Sequence, residues 1–377
     1  MRHDQQYNDW KQYYDSLNRP RYSMDTKVKL VRNLFPQVTP EMVLNYSDIK
    51  NTTGQVSRDL EFYKEQYDKH KQQKDLICEM TDLLLHNVKP VALTTYWEPE
   101  PRSSELPEEV LLCLNADQHI GMIVDEKEAP PGGQEYNPEV AELRVKDYSR
   151  TVLKITEYRR MFEQINDVHL VYLGDGIEGD WRGLNMSKDN IVEQYSKAFE
   201  IFLDQVVFFA SHFRHVYIHC VYGNHSRMDK GLPEYVNWEY IFWSYIMGLR
   251  LRNIKNVTLD VPSQPYCNFQ IYDWKFCAIH GGGIKMHYKT PYYGIETAQK
   301  EYNEVFQDLE QDRIDYLLLG HFHECASLKH NKIKMCGSTV GYHPWAMSAM
   351  RKYSPPSQKM LYVHKKHKIS NDSDINL

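Results

Sequence analysis

The chain has 377 residues, 42% of them hydrophobic and 25% charged, the balance of a globular protein with room for one large domain or two. Its net charge of −6 excludes a global basic field that would gather nucleic acid and leaves only a local basic groove for that role. Seven cysteines without a Cys-x-x-Cys pair, no apolar signal core after Met1, and a longest apolar run (Ile241 to Leu249) too short to span a bilayer predict a reducing, cytoplasmic setting away from membranes.

Residues 1–88 read as a separate helical region. Residues 1–23 are polar and tyrosine-rich and are expected to be loose or ordered by a partner. Asp25 to Leu34 places Val28, Val31 and Leu34 on one side of a short helix that Pro36 ends. Thr39-Pro40-Glu41 combines a hydroxyl cap with proline at the first helical position. Asn51-Thr52-Thr53-Gly54 is a turn, and a long helix is expected from about Val56 to about Asn87. Three helices with a tight turn before the last form a helix-turn-helix for DNA, a plain bundle or a homodimerisation arm. Prolines 90, 99, 101 and 107 mark residues 89–108 as a linker.

From residue 109 to 377 strand and helix patterns alternate. Val110 to Ala116, Val168 to Leu173, Val216 to Tyr222, Lys275 to Ile279 and Asp315 to Leu319 are short, nearly continuous apolar runs, the mark of strands buried on both faces. Helical spacing joins Val140, Leu143, Tyr148, Val152, Ile155, Phe162 and Ile165. It recurs in Ile191, Tyr195, Ala198, Phe202, Val206, Phe209 and Phe213. Two further sets are Tyr235, Trp238, Phe242, Tyr245, Leu249 and Ala298, Tyr302, Val305, Leu309; all four read as core-facing stripes. The alternation predicts an α/β sandwich, with antiparallel strands between Val257 and Ile279.

Each apolar run ends in residues that carry chemistry. The ends are Asp117-Gln-His119, Gly174-Asp175-Gly-Ile-Glu178, Gly223-Asn224-His225, His280-Gly281 and Gly320-His321-Phe-His323. Sites in open α/β sheets gather at carboxyl ends of strands. Two carboxylates, one amide oxygen and four imidazoles (Asp117, His119, Asp175, Asn224, His280, His321, His323) exceed the needs of one metal ion. With one carboxylate shared, they give four protein ligands to each of two ions. Nitrogen and oxygen donors without thiolate suit Mn²⁺ first, and Fe or Zn²⁺, rather than Ca²⁺ or Mg²⁺.

The order Asp-x-His, Gly-Asp-x-x-Glu, Gly-Asn-His, His-Gly, Gly-His-x-His, spanning roughly Val110 to Lys334, resembles the calcineurin-like metallophosphoesterase superfamily. Within it the layout is similar to SbcD-type DNA-repair exonucleases and to phosphoesterases common in phage genomes. The resemblance implies a four-layer α/β/β/α sandwich with a two-metal site. Asp117, His119, Asp175 and His323 would hold one ion; Asp175, Asn224, His280 and His321 would hold the other, with Asp175 bridging. His225 would be the general acid rather than a ligand. Gly-Asn-His is usually followed by an acidic residue but here by Ser226, so another group, Asp229 or Asp180, must orient His225.

Basic and aromatic residues surround these motifs. Arg182, with Trp181 and Lys188, follows the second, and Lys285 and His287 follow His280 among tyrosines. Such a mixture suits single-stranded nucleic acid, held by charge and stacking. The expected activity is hydrolysis of phosphodiester bonds, in DNA first, by a hydroxide between two metal ions. The alternatives are a phosphomonoesterase or cyclic-nucleotide phosphodiesterase, a non-catalytic interaction module, and a DNA-binding regulator acting through its N-terminal helices.

Overall fold

The structure, a computed structural model, describes residues 10–17, 23–36, 38–44, 46–47 and 106–377. From the last range 126, 128, 130–134, 180–186, 188, 229–235, 287–289, 344–346, 349–350 and 352 are excepted. The chain divides into two compact units, Met1–Glu79 and Met80–Leu377. No helix among the described residues is long and apolar enough to cross a membrane.

In the first unit, helix α1 (Trp10–Ser16) lies where the composition suggested loose chain. It forms because Tyr14 and Leu17 reach an apolar cluster with Val31, Val38 and Val43. Helix α2 (Met24–Leu34) starts at Ser23, whose side chain accepts a hydrogen bond from the Thr26 amide. A further helical turn begins at Pro40, where the Thr39 hydroxyl accepts from the Met42 amide at 3.3 Å. The Asn51 to Gly54 turn, the expected long helix and the linker up to Glu105 lie outside the described residues.

The second unit holds two sheets. Strands β1 (Glu108–Asn115), β2 (Gln164–Tyr172), β3 (His215–Cys220) and β4 (Val257–Asp260) run parallel in that order. The antiparallel β10 (Ser357–His364) and β11 (Lys368–Asn376) extend the sheet beyond β1. The second sheet has the order β5 (Tyr266–Ile271), β6 (Trp274–Ile279), β7 (Tyr316–Leu319), β9 (Ile333–Met335), β8 (Ala326–Leu328), with β6, β7 and β9 parallel. Antiparallel pairing between Val257 and Ile279 is thus confined to β5 and β6, while β4 runs parallel to β3.

Leu112, Leu114 and Val171 of the first sheet pack against Phe276, Ala278 and Leu318 of the second. Burial on both faces explains why these strands read as unbroken apolar runs. Helices α3 (Pro138–Arg159) and α4 (Ile191–Ala210) cover the outer face of the first sheet, tied to it by Tyr148 Oη to the Lys359 carbonyl and Tyr172 Oη to Gln205, both 2.7 Å. Asn137 caps α3 ahead of Pro138. Asn190 and Glu193 form a reciprocal capping box on α4. A helical segment α5 runs through Trp238–Ile241, a π-helical stretch Phe242–Met247 and Gly248–Leu251. Helix α6 (Tyr292–Asp308) packs Ile295 and Phe306 on the outer face of the second sheet. The result is four layers, α/β/β/α, the architecture that the resemblance to calcineurin-like metallophosphoesterases implies.

Three of the expected stripes are displaced. In α3 the core face is Ala141, Val145, Tyr148, Val152 and Thr156. Leu143 is exposed, the helix stops at Arg159, and Ile165 belongs to β2. In α5 the π-helical stretch winds more residues into a turn. It buries Trp243, Met247 and Leu251 and leaves Tyr245 and Leu249 exposed. In α6 Phe306 points inward, with Val305 and Leu309 outside. The stripe of α4 is buried as expected, and Phe213 completes it just beyond the helix end.

Candidate metal centre

The parallel neighbours β1, β2 and β3 end side by side, and so do β6 and β7. The five strand ends face one rim of the sandwich. There the structure brings together Asp117, His119, Asp175, Asn224, His280, His321 and His323. Asp117, His119, Asp175, His321 and His323 have φ between 45° and 69°, the left-handed region that costs a non-glycine residue about 1–2 kcal/mol. Strain of this kind persists where surrounding structure enforces it, and it clusters at functional sites.

Surrounding structure does enforce it. Gln358 clasps Ala116 at the end of β1, accepting from its amide at 2.8 Å and donating to its carbonyl at 2.9 Å. Ser338 Oγ donates to the Asp117 carbonyl at 2.7 Å. Asp117 Oδ2 accepts from the His321 amide at 2.8 Å, which links the first sheet to the second. The buried carboxylate of Glu239 accepts from the amides of Gly176 and Gly223, each at 2.7 Å, and of Asp175 at 3.2 Å. One side chain therefore holds two of the strand-end loops.

The donors form two groups. In the first, His119 Nε2 and His323 Nε2 lie 3.1 Å apart, with Asp117 Oδ1 3.9 Å and 3.5 Å from them. In the second, His280 Nε2 is 3.0 Å from Asp175 Oδ2, 3.1 Å from Asn224 Oδ1 and 3.3 Å from His321 Nδ1. Asp175 also falls within ligand distance of His119 and His225, so it reaches both groups.

The residues fit divalent ions. Imidazole nitrogens aimed at one another, with carboxylate oxygens beside them, are a poor hydrogen-bond arrangement and a good ligand set. His119 Nδ1 donates to Glu178 Oε2 at 2.9 Å and His280 Nδ1 to the Leu173 carbonyl at 2.8 Å, which leaves each Nε2 lone pair facing inward. The buried Asp117 Oδ1 has no hydrogen-bond partner among the described residues. Burial disfavours charge on His280, yet the Asp175 and Asp117 carboxylates outweigh it and raise its pKa to about 9. Burial and that neighbouring charge push His321 down to about 3. The constellation calls for positive charge at its centre, which ligated cations would supply.

His225 sits beside the donors without joining the second group. Its Nδ1 donates to the Glu178 carbonyl at 2.9 Å and lies 3.3 Å from the Glu178 carboxylate, while Nε2 is 4.0 Å from Asp175 Oδ2. Glu178 is therefore the group that orients His225. The residues expected in that role, Asp180 and Asp229, lie outside the described residues. Burial alone would raise the Glu178 carboxyl, but His119 and His225 hold it well below the usual carboxylate range. Glu178 closes the Gly-Asp-x-x-Glu motif, and that position is its signal in the sequence. Glu239 carried no sequence signal, because its partners are backbone amides.

A cavity of about 1040 Å³ opens beside the donors, lined in part by Tyr222, Tyr266, Lys285, Met286, Tyr293 and His343. Lys285 is thus at the cavity wall; Arg182 and His287 lie outside the described residues. His343 is buried, its ring centroid 6.1 Å from that of His323. Thr339, four residues earlier, braces the first motif, its Oγ1 donating to the Gln118 carbonyl at 3.2 Å.

No protein-family model and no curated protein matches the chain. Similar solved structures include vacuolar protein sorting 29 from Cryptosporidium parvum, at 16% identity and TM-score 0.32, covering 72% of this chain and 100% of that one. An archaeal phosphodiesterase is 13% identical with TM-score 0.32, over 71% and 99% of the two chains. A predicted phosphoesterase from Streptococcus pneumoniae is 12% identical with TM-score 0.27, over 71% and 98%. Likeness at this level carries no argument about activity, which has to come from the residues of this chain.

Proposed function

We propose that the chain is a metal-dependent phosphoesterase that hydrolyses phosphodiester bonds, with DNA as the first substrate. The observation that supports this reading best is the meeting of nitrogen and oxygen donors from five strand ends, with Asp175 within reach of both groups. Asp117, His119, Asp175 and His323 would hold one ion, and Asp175, Asn224, His280 and His321 the other. Divalent ions held there, Mn²⁺ above all with Fe or Zn²⁺ as alternatives, would lower the pKa of a water nucleophile and offset charge on the phosphoryl oxygens.

The chain's own residues supply the rest. The Glu178 carbonyl fixes the His225 Nδ1 proton and leaves Nε2 to carry the proton that the leaving oxygen needs. The Glu178 carboxylate lies 3.3 Å from the same Nδ1 and fixes the ring's orientation. Tyrosines on the cavity wall offer stacking surfaces for bases and Lys285 offers charge for a phosphate. That lining favours a nucleic-acid strand over a small phosphomonoester.

The test is a panel of single- and double-stranded DNA, RNA, cyclic nucleotides, phosphomonoesters and a p-nitrophenyl phosphodiester, incubated with Mn²⁺ and with chelator. Cleavage of DNA and of the chromogenic diester with Mn²⁺, abolished by chelation, is expected. Turnover of phosphomonoesters alone would move the reading to a phosphomonoesterase. No metal bound after reconstitution with Mn²⁺, Fe or Zn²⁺ would overturn it.

A further inference from the structure

A second group of metal-ligating side chains lies where the β4 edge of one sheet meets the β5 edge of the other. His219 on β3 and Asp260 on β4 are register partners in the parallel ladder, so they share a face. Cys267, on β5 of the opposite sheet, meets them. Its Sγ is 3.3 Å from Asp260 Oδ2 and 3.9 Å from His219 Nδ1, and His219 Nδ1 is 3.5 Å from the same Asp260 oxygen. We propose that His219 Nδ1, Asp260 Oδ2 and Cys267 Sγ form a binding site for a thiophilic divalent cation, Zn²⁺ in the first place.

The dimensions support this. Zinc bonds of ~2.0–2.1 Å to nitrogen or oxygen and ~2.3 Å to sulfur place tetrahedral ligand atoms about 3.4 Å (N to O) and about 3.6 Å (to S) apart. The three observed separations bracket those edges within a few tenths of an ångström. The orientation of His219 supports it too. His219 Nε2 lies 3.0 Å from His169 Nδ1, and donation along that line leaves the Nδ1 lone pair facing Asp260 and Cys267. The His219 ring is held flat on Phe269, with centroids 3.9 Å apart and planes 9° from parallel. Cys267 and His219 are buried, while the Asp260 side chain is 49% exposed. The site therefore opens to solvent on one side, leaving an entry path and a fourth position for water. Cys267 is a free thiol, and binding would expel its proton to solvent.

The bound ion would clamp the β3–β4 edge to β5. Cys267 directly follows Pro265 and Tyr266, which line the large cavity, so the clamp would also stiffen one wall of the substrate cleft. This site differs in chemistry from the seven-donor constellation, which contains no sulfur.

That difference gives a selective readout. Metal-free full-length protein is titrated with Co²⁺ and followed by absorption; ions held only by nitrogen and oxygen add nothing to the thiolate-to-cobalt charge-transfer band in the near ultraviolet. The wild type should develop this band with one equivalent at saturation, and Zn²⁺ should bleach it. Cys267→Ser should lack it. Asp260→Ala, at a half-exposed position where folding is not at stake, should weaken cobalt binding at this band at least tenfold. A wild type without the band, a band of equal size in Cys267→Ser, or an unchanged titration in Asp260→Ala would each overturn the proposal.

Discussion

At the scale of single residues, His225 and Glu239 make separable predictions. If His225 protonates the leaving oxygen, its worth depends on how basic that oxygen is. A nucleotide alkoxide needs the proton and p-nitrophenolate hardly does. His225→Ala should keep its metal and lose about 10²–10⁴-fold on DNA, with a far smaller loss on a p-nitrophenyl phosphodiester. Equal losses on both, at unchanged metal content, would rule out the proton-donor role. Glu239 is a pH probe. Its burial and the charge of Asp175 outweigh the Gly223 and Gly176 amides and the His280 charge and push its pKa up to about 7. The folded carboxyl thus holds its proton more tightly than the unfolded one, at about 4.5. Its contribution to stability is complete below the unfolded value and is lost as pH rises through about 7. In chelator-treated protein, Glu239→Gln should gain on the wild type by up to about 3 kcal/mol between pH 4.5 and 7.5. Denaturant midpoints across that range measure it, and a constant gap would contradict it.

At the scale of elements, the strand-end loops are packed against one another more tightly than any side chain allows. A Cβ on Gly223, after β3, would stand 2.0 Å from Asp175 Oδ1 and 2.2 Å from the Asp175 amide nitrogen, after β2. On Gly320, after β7, it would stand 2.7 Å from Asp117 Oδ2. These glycines let donors from neighbouring strands approach a common centre. Gly223→Ala must displace Asp175, which is within reach of both groups. Overpacking of this kind typically costs about 1–3 kcal/mol. The variant should stay folded by circular dichroism and lose bound metal and turnover at least tenfold. Wild-type metal content in Gly223→Ala would show that Asp175 does not bridge.

At the scale of the whole molecule, every candidate ligand lies in the second compact unit, Met80–Leu377. A chain beginning at Ser104 should therefore turn over the chromogenic diester at a rate within about threefold of the full chain, an allowance of well under 1 kcal/mol in barrier. Binding to long DNA or self-association should weaken instead, because the helices of the first unit are the proposed docking or dimer arm. Gel filtration and binding assays on the shortened chain check both. A soluble, metal-loaded but inactive product would show that the first unit takes part in chemistry.

How much of this was legible depended on whether a residue's role is local. The five apolar runs were legible as strands because burial on both faces leaves no polar alternation. Asp117, Asp175, Asn224, His280, His321 and His323 stood out because donors follow those runs directly and parallel strands share an end. The cap at Thr39 was legible because capping acts within one turn. The faces of α3, α5 and α6 were not, since a helix's inward side is fixed by what it packs on, and in α5 by a π-helical stretch that shifts the phase. Glu239, Gln358 and Ser338 were invisible because backbone groups brought near by the fold carry no side-chain pattern. The cluster of His219, Asp260 and Cys267 was hidden for a related reason. Its members come from three strands of two sheets, and only the packing of one sheet on the other puts a thiol beside an imidazole. Order along the chain shows which residues offer donor atoms and which strands carry them; the meeting of the two sheets sets which of them meet, because separations of a few ångströms across a sandwich come from packing.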